Sequence, residues 1–204
     1  MRTMHGFGQR AAWSLITVLA VGLAGAAEAS TWKIDPGHTS AQFAVRHLMV
    51  STVRGTIAPV TGTLNLDAAD VTKSTVESTI DVNGIDTREP KRDAHLKSPD
   101  FFDAAKYPTI TFKSKKITKL ADTKFQVTGD LTIRGVTREV VLDVDGQPKP
   151  VQDPMGNLRL GASATTKLNR KDFGITWTKV LDGGGVVVGD EVTVTIEVEL
   201  VKAD

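Results

Sequence analysis

From Val192 to Leu200 the chain alternates without a break: Val192, Val194, Ile196, Val198 and Leu200 are interleaved with Thr193, Thr195, Glu197 and Glu199. Successive side chains of a strand point to opposite faces, so this stretch offers one face to a core and one to water. The same period of two recurs in Phe43, Val45 and His47, in Val76, Ser78, Ile80 and Val82, and in Phe125, Val127, Gly129, Leu131 and Ile133. It returns at Leu64 and Leu66, at Ile110 and Phe112 with a phase change before Ile117, at Val140, Leu142 and Val144, and at Leu158, Leu160, Ala162 and Ala164. About eight such strands, split by turns, define an all-β domain, either a sandwich or an up-and-down barrel.

One stretch breaks the pattern. Residues 86–108, DTREPKRDAHLKSPDFFDAAKYP, contain two short helix signatures. Asp86 with Glu89 reads as a capping box followed by Pro90; Ser98, Pro99 and Asp100 read as a second helix start, ended by Pro108. An apolar helical insertion in an all-β chain is either a lid over one end of the sheet structure or a crossover packed outside it.

The first residues stand apart from the fold. Arg2 and Arg10 precede an uncharged apolar run, and Ala27-Glu28-Ala29 offers small residues where a signal peptidase reads them. The run is shorter than the roughly 20 residues of a spanning helix. We therefore expect a cleavable export signal at residues 1–29, one domain at residues 30–204 and a periplasmic location. The 25 basic and 24 acidic residues become equal in number once Arg2, Arg10 and Glu28 are removed, so nothing in the charge points to nucleic acid. Without cysteine there is no disulfide, and a single hydrophobic core must supply the stability. A membrane barrel would need aromatic girdles and an uncharged outer face. One Tyr, two Trp after the leader, and glutamates along the last strand argue for a soluble barrel instead.

The chemistry-bearing residues are sparse. His38, His47 and His95 show no metal-ligand spacing, and His38 and His47 fall on opposite faces of a regular strand. Asp35, His38 and Ser40 lack triad geometry, so no catalytic residues, no metal and no cofactor are assigned. An eight-stranded soluble barrel can be filled by its own side chains or can hold one small ligand. Inward Ser78, Gly129, Ala162 and Ala164 leave room for an extended apolar chain, or else they face larger neighbours in a packed core. Candidate wall residues are Phe43, Val45, His47, Phe112, Val127 and Leu131, with Phe101 and Phe102 from the insertion and Trp177 beyond. The plainer reading of His47 is a core histidine with a satisfied hydrogen bond. His38, Arg92 and His95 are the candidates for a polar head group, against the plainer reading of a solvated helix face for the last two.

Six motifs in order resemble the YceI-like family of exported polyisoprenoid-binding proteins. They are WKIDPGHT at 32–39 continuing as FAVRH at 43–47, RDAHLKSPDFFD at 92–103, YPTITFKS at 107–114, GDLTIRGVT at 129–137, NRKDFG at 169–174 and VGDEV at 188–192. The resemblance implies an eight-stranded antiparallel lipocalin-like barrel whose channel holds a long isoprenoid, of quinone or polyprenyl phosphate type, with no enzymatic activity. It leaves room for a transient membrane contact and for a homodimer. Another amphiphile, such as a fatty acid or fatty amide, is the alternative ligand. The 182–188 stretch, DGGGVVV, reads as a flexible loop without a partner.

Overall fold

The computed structural model describes residues 29–147 and 149–203, so all but the last residue of the expected leader lies outside it. In chain order the elements are β1 (Ser30–Ile34), β2 (Ser40–His47), β3 (Ser51–Ile57), β4 (Val60–Leu66), β5 (Thr75–Asp81), β6 (Ile85–Asp86), α1 (Pro90–Lys97), β7 (Thr109–Lys119), β8 (Lys124–Ile133), β9 (Val136–Gly146), β10 (Val151–Gln152), β11 (Leu158–Asn169) and β12 (Val188–Lys202). β1 and β2 lie end to end along one edge of β12, parted by the turn at Asp35 to Gly37. β3 and β4 are likewise one strand bent at Ala58-Pro59, where proline has no N–H to give a ladder. With each of these pairs taken as one arm, antiparallel pairing passes through β5, β7, β8, β9 and β11 and closes from β11 onto β12. The result is a closed eight-stranded antiparallel barrel: of the two architectures that the alternation left open, it is the one that the family resemblance implied.

The seams are unequal. β11 pairs with β12 from Arg159 to Asn169, yet with β9 only from Ala162 to Thr165. Beyond that point the 3-10 turn Arg170–Phe173 leaves the wall and tucks Phe173, 2% exposed, against Val136 and Val140 of β9. The phase change on β7 is a bulge between Ser114 and Lys116. It turns Lys115 outward to Asp130 and Glu139, and the Ser114 hydroxyl accepts from the Val76 amide of β5.

Each end of the barrel is shut differently. Trp32, Ile34, Val60, Leu160 and Leu200 form a packed floor, with the Trp32 indole N–H donating to Ser30 Oγ at 2.9 Å. The other end is covered by the insertion: Phe101 and Ala104 are buried with Ile57, Val82, Ile110, Ile133 and Ile175, and Leu96 and Phe102 pack on that cluster. The insertion is a lid.

It holds one helix where two were expected. Arg88 sits in the left-handed region at φ 64°, which no helix can pass through, so Asp86 accepts from the Arg88 amide in a turn and Glu89 becomes the cap of α1. After Lys97 the backbone folds back on itself. The amides of Phe102 and Asp103 donate to Leu96 O and Ser98 O, and Asp103 is again left-handed at φ 51°. Phe101 and Phe102 therefore stand on a turn, which is how two adjacent rings both reach the interior side. Arg134 ties this turn down by donating to Pro99 O and Gly174 O.

Candidate functional site

Between floor and lid lies a cavity of about 190 Å³. Val192, Val194 and Ile196 of β12 form one wall, and Phe43, Val45, Phe112, Leu131, Leu142 and Leu168 carry it round. Leu96, Phe101, Phe102 and Ile175 form the roof; Gln42, Ser78, Thr166 and Arg170 are the polar members. The inward residues of β12 are only half-buried although they point into the barrel, because open space stands before them. The interior is thus neither wholly packed nor an open tube. Two inward glycines account for part of this. A Cβ on Gly55 would lie 2.6 Å from the Phe43 ring and one on Gly129 2.5 Å from the Phe112 ring. Each ring lies across the glycine of a neighbouring strand, so Gly129 faces a larger neighbour, the second of the two readings open for the small inward residues.

Arg170 is the one charged residue lining the cavity among those described, and it is 6% exposed. All its donors are engaged: Nε with Gly189 O, Nη1 with Ile175 O and Trp177 O, Nη2 with Val188 O and Asp190 Oδ1. Burial pulls its pKa down, and the Asp190 carboxylate opposes the pull. A guanidinium satisfied in this way holds the 175–189 chain in place and has nothing left for a ligand.

The predicted site residues divide accordingly. Phe43, Val45, Phe101, Phe102, Phe112 and Leu131 line the cavity. His47 stands at the rim beyond Val45, opposite Ser51 and Val188. Val127 is buried beside Phe112 and Ile117 in the wall. Trp177 lies outside the cavity, packed on the lid, its ring 5.2 Å from Phe101 and 5.0 Å from His95.

The three head-group candidates are not brought together. Arg92 donates to Thr87 Oγ1 and Thr87 O, and Asp93 accepts from the Thr87 amide, so both residues fasten the start of the lid. His95 is wedged edge-on between Phe101 and Trp177 and bonds Asp100 through Nε2. His38 belongs to the far end, beside the floor. Sequence reasoning missed Leu96, Ile110, Leu142, Leu168 and the β12 valines as wall residues, although the phase of Val192 to Leu200 already placed the last group inside.

At the floor end His38 Nδ1 and Arg159 Nη1 each lie 2.8 Å from Asp35 Oδ2, and Arg159 also binds Glu199 and Asp153. Asp35, His38 and Glu199 converge closely enough to suggest a metal site. The Arg159 cation already lies between the two carboxylates, and the arrangement reads as an ion-pair clamp joining the β1–β2 break to β11 and β12. The Arg159 hydrogen bond, then that of His38, pulls the Asp35 carboxyl down from 3.8 to about 2. A depressed carboxyl stabilises the fold above its ordinary value and loses that contribution as pH falls through its folded value. The melting temperature should therefore fall between pH 3.8 and about 2, and less steeply in Asp35→Asn. Parallel slopes for the two proteins would mean that the clamp adds nothing. His38 is raised by the Asp35 hydrogen bond, so its share is present below 6.5 and is lost as pH rises through the raised value.

A closed up-and-down barrel with floor, lid and an apolar cavity defines a lipocalin-like fold. Residues 32–200 match the YceI-like domain, and the chain belongs to the YceI-like family. It is 38% identical over 167 residues to a UPF0312 protein of Vibrio cholerae, covering 78% of this chain and 88% of that one. To Protein YceI of Escherichia coli O157:H7 it is 39% identical over 156 residues, 74% of this chain and 80% of that one. The Campylobacter jejuni YceI crystal structure superposes with a TM-score of 0.66 at 32% identity, covering 78% of this chain and 90% of that chain. A polyisoprenoid-binding domain from Saccharophagus degradans, implicated in plant cell wall breakdown, shares the fold at a TM-score of 0.64 and 13% identity, covering 84% of this chain and 98% of that chain.

Proposed function

We propose that this protein is a periplasmic binding protein, not an enzyme, that holds a long isoprenoid lipid in its barrel for transport or storage. The observation that carries this reading is the cavity, whose walls are almost wholly aliphatic and aromatic between a packed floor and a lid. The Saccharophagus domain of the same fold, described as polyisoprenoid-binding, supports it. At about 190 Å³ the closed cavity is smaller than the roughly 300–1,000 Å³ of common ligand pockets. A long chain therefore enters by pushing lid side chains aside, and half-buried Leu96 and Phe102 stand in its path. With Arg170 saturated, a phosphate inside would be a buried charge without a partner, which is costly. The part of the ligand inside the barrel is uncharged, which favours a quinone-type lipid, or a polyprenyl phosphate with its head group left outside.

Solvent extraction of the purified protein followed by mass spectrometry tests the reading. An isoprenoid at up to one per chain is expected; a fatty acid or amide in its place would overturn the isoprenoid assignment. The same instrument tests export. The mature protein should begin at Ser30, and an intact Met1 form in the membrane fraction would refute cleavage.

A further inference from the structure

The turn between β2 and β3 is unusual in composition. Leu48, Met49 and Val50 are 37%, 54% and 77% exposed, and Val180 on the facing loop is 78% exposed. Leu48 and Met49 take left-handed backbone, φ 51° and 59°, which Asn and Gly adopt far more readily in such a hairpin turn. Large apolar side chains are thus kept on a tip where folding alone would favour small polar ones. The facing loop is not the free segment its glycines suggest. Val180 pairs with Val186, the Leu48 amide donates to Val187 O, and a Cβ on Gly185 would lie 3.5 Å from Met49 Cγ. The loop backs the tip, and its glycines add no side chain to cover it.

The surrounding charge is positive. Arg46 and Arg54 share the outer face of the hairpin and Lys179 is exposed at the base of the loop that carries Asp182; of the acids next along the chain, Asp190 is paired with Arg170 and Lys171, and Glu191 with Lys167. Arg46 is held by neutral groups, Thr52 Oγ1 and Met49 O, so its charge is uncompensated there. The tip also continues into the binding site: Val45 and Val188 line the cavity and pair on either side of it, Val45 with Val53 and Val188 with His47.

We propose that this tip, Leu48 to Val50 with Val180, docks the protein on an anionic bilayer surface, its apolar side chains entering the interface while Arg46, Arg54 and Lys179 meet lipid phosphates. The cavity rim is then held at head-group depth, where a long lipid can pass between barrel and membrane without crossing water. The proposal rests on the lipid-binding reading and identifies the partner surface for exchange.

The test is flotation with vesicles of phosphatidylglycerol and phosphatidylethanolamine, comparing wild type with Leu48→Asn/Met49→Gly and with Arg54→Glu/Lys179→Glu. The first variant should lose at least about tenfold in vesicle binding, given the apolar area withdrawn. It should melt no lower than wild type, since Asn-Gly suits the turn. The charge variant should lose binding too, and about 0.5 M NaCl should weaken wild type. Wild-type-like binding by the first variant overturns the proposal. So does a wild-type dimer that the first variant dissolves, which would assign the tip to a second copy of the chain. Lipid content by extraction is read in parallel: a lipid-free protein that still floats refutes the carrier reading and leaves the docking surface standing, whereas a lipid-loaded protein that does not float refutes the docking surface alone.

Discussion

Replacing Arg170 with methionine is expected to cost about 3–5 kcal/mol, the range for removing one partner of a buried, hydrogen-bonded charge pair. The side chain reaches four carbonyls, of Ile175, Trp177, Val188 and Gly189, and one carboxylate oxygen of Asp190. Methionine fills similar space but leaves all five acceptors without a donor, in a site that water reaches poorly. For a domain of this size the loss corresponds to a fall in melting temperature of about 10 °C or more. Arg170→Lys should recover less than half, because an ammonium gives three donors from one point and cannot imitate a planar fork of five. Lys171→Met is the control. Its ion pair with Asp190 is 2.8 Å long but half-exposed, and its loss should cost about 1 kcal/mol or less. Amide exchange should rise at residues 171–188 in Arg170→Met before it rises in β8. A Arg170→Met protein melting within about 3 °C of wild type would show that these carbonyls find water and that the guanidinium is not their anchor.

The barrel was legible because alternation is a local property: Val192 to Leu200 already shows which side chains face inward, and eight such stretches leave few ways to bury them. The bulge at Ser114 was legible too, as a slip of phase between Phe112 and Ile117. The lid's internal shape was not. Ser98, Pro99 and Asp100 make a good helix start on paper, but Phe101 and Phe102 gain more by both facing the cavity, which a turn permits and a helix spacing them about 100° apart does not. The head-group candidates are kept apart for a related reason. Arg92, His95 and His38 look alike in sequence as polar residues within motifs, yet each is committed to a partner set by tertiary contact: Thr87, Asp100 with two aromatic rings, and Asp35. Arg170 shows the converse. One arginine beside a turn gives no sign that five acceptors from residues 175–190 will converge on it.

The ligand reading predicts a large loss of binding from a single added ring. Ile196 sits on the cavity wall, opposite Ala164 on β11 and Ala41 on β2, with small side chains on both sides of it. Ile196→Trp should place its indole in the void without prising strands apart, so the empty protein should melt within a few degrees of wild type, at the low end of the roughly 1–3 kcal/mol cost of overpacking. A lipid chain excluded from about 100 Å² of wall loses about 2.5 kcal/mol at 25 cal/mol per Å², roughly seventyfold in affinity, before any clash is counted. Lipid recovered by extraction should drop accordingly, as should the affinity for an added isoprenoid quinone measured by fluorescence titration. The adjacent Thr195→Trp points the same ring to the outer face and should retain lipid as wild type does. Ile196→Ala should cost only about 1–2 kcal/mol, below the usual range for isoleucine in a packed core, because the cavity already withholds neighbours from one side. Undiminished lipid in Ile196→Trp, with the fold intact, would mean that the ligand does not occupy the space between β12 and the lid.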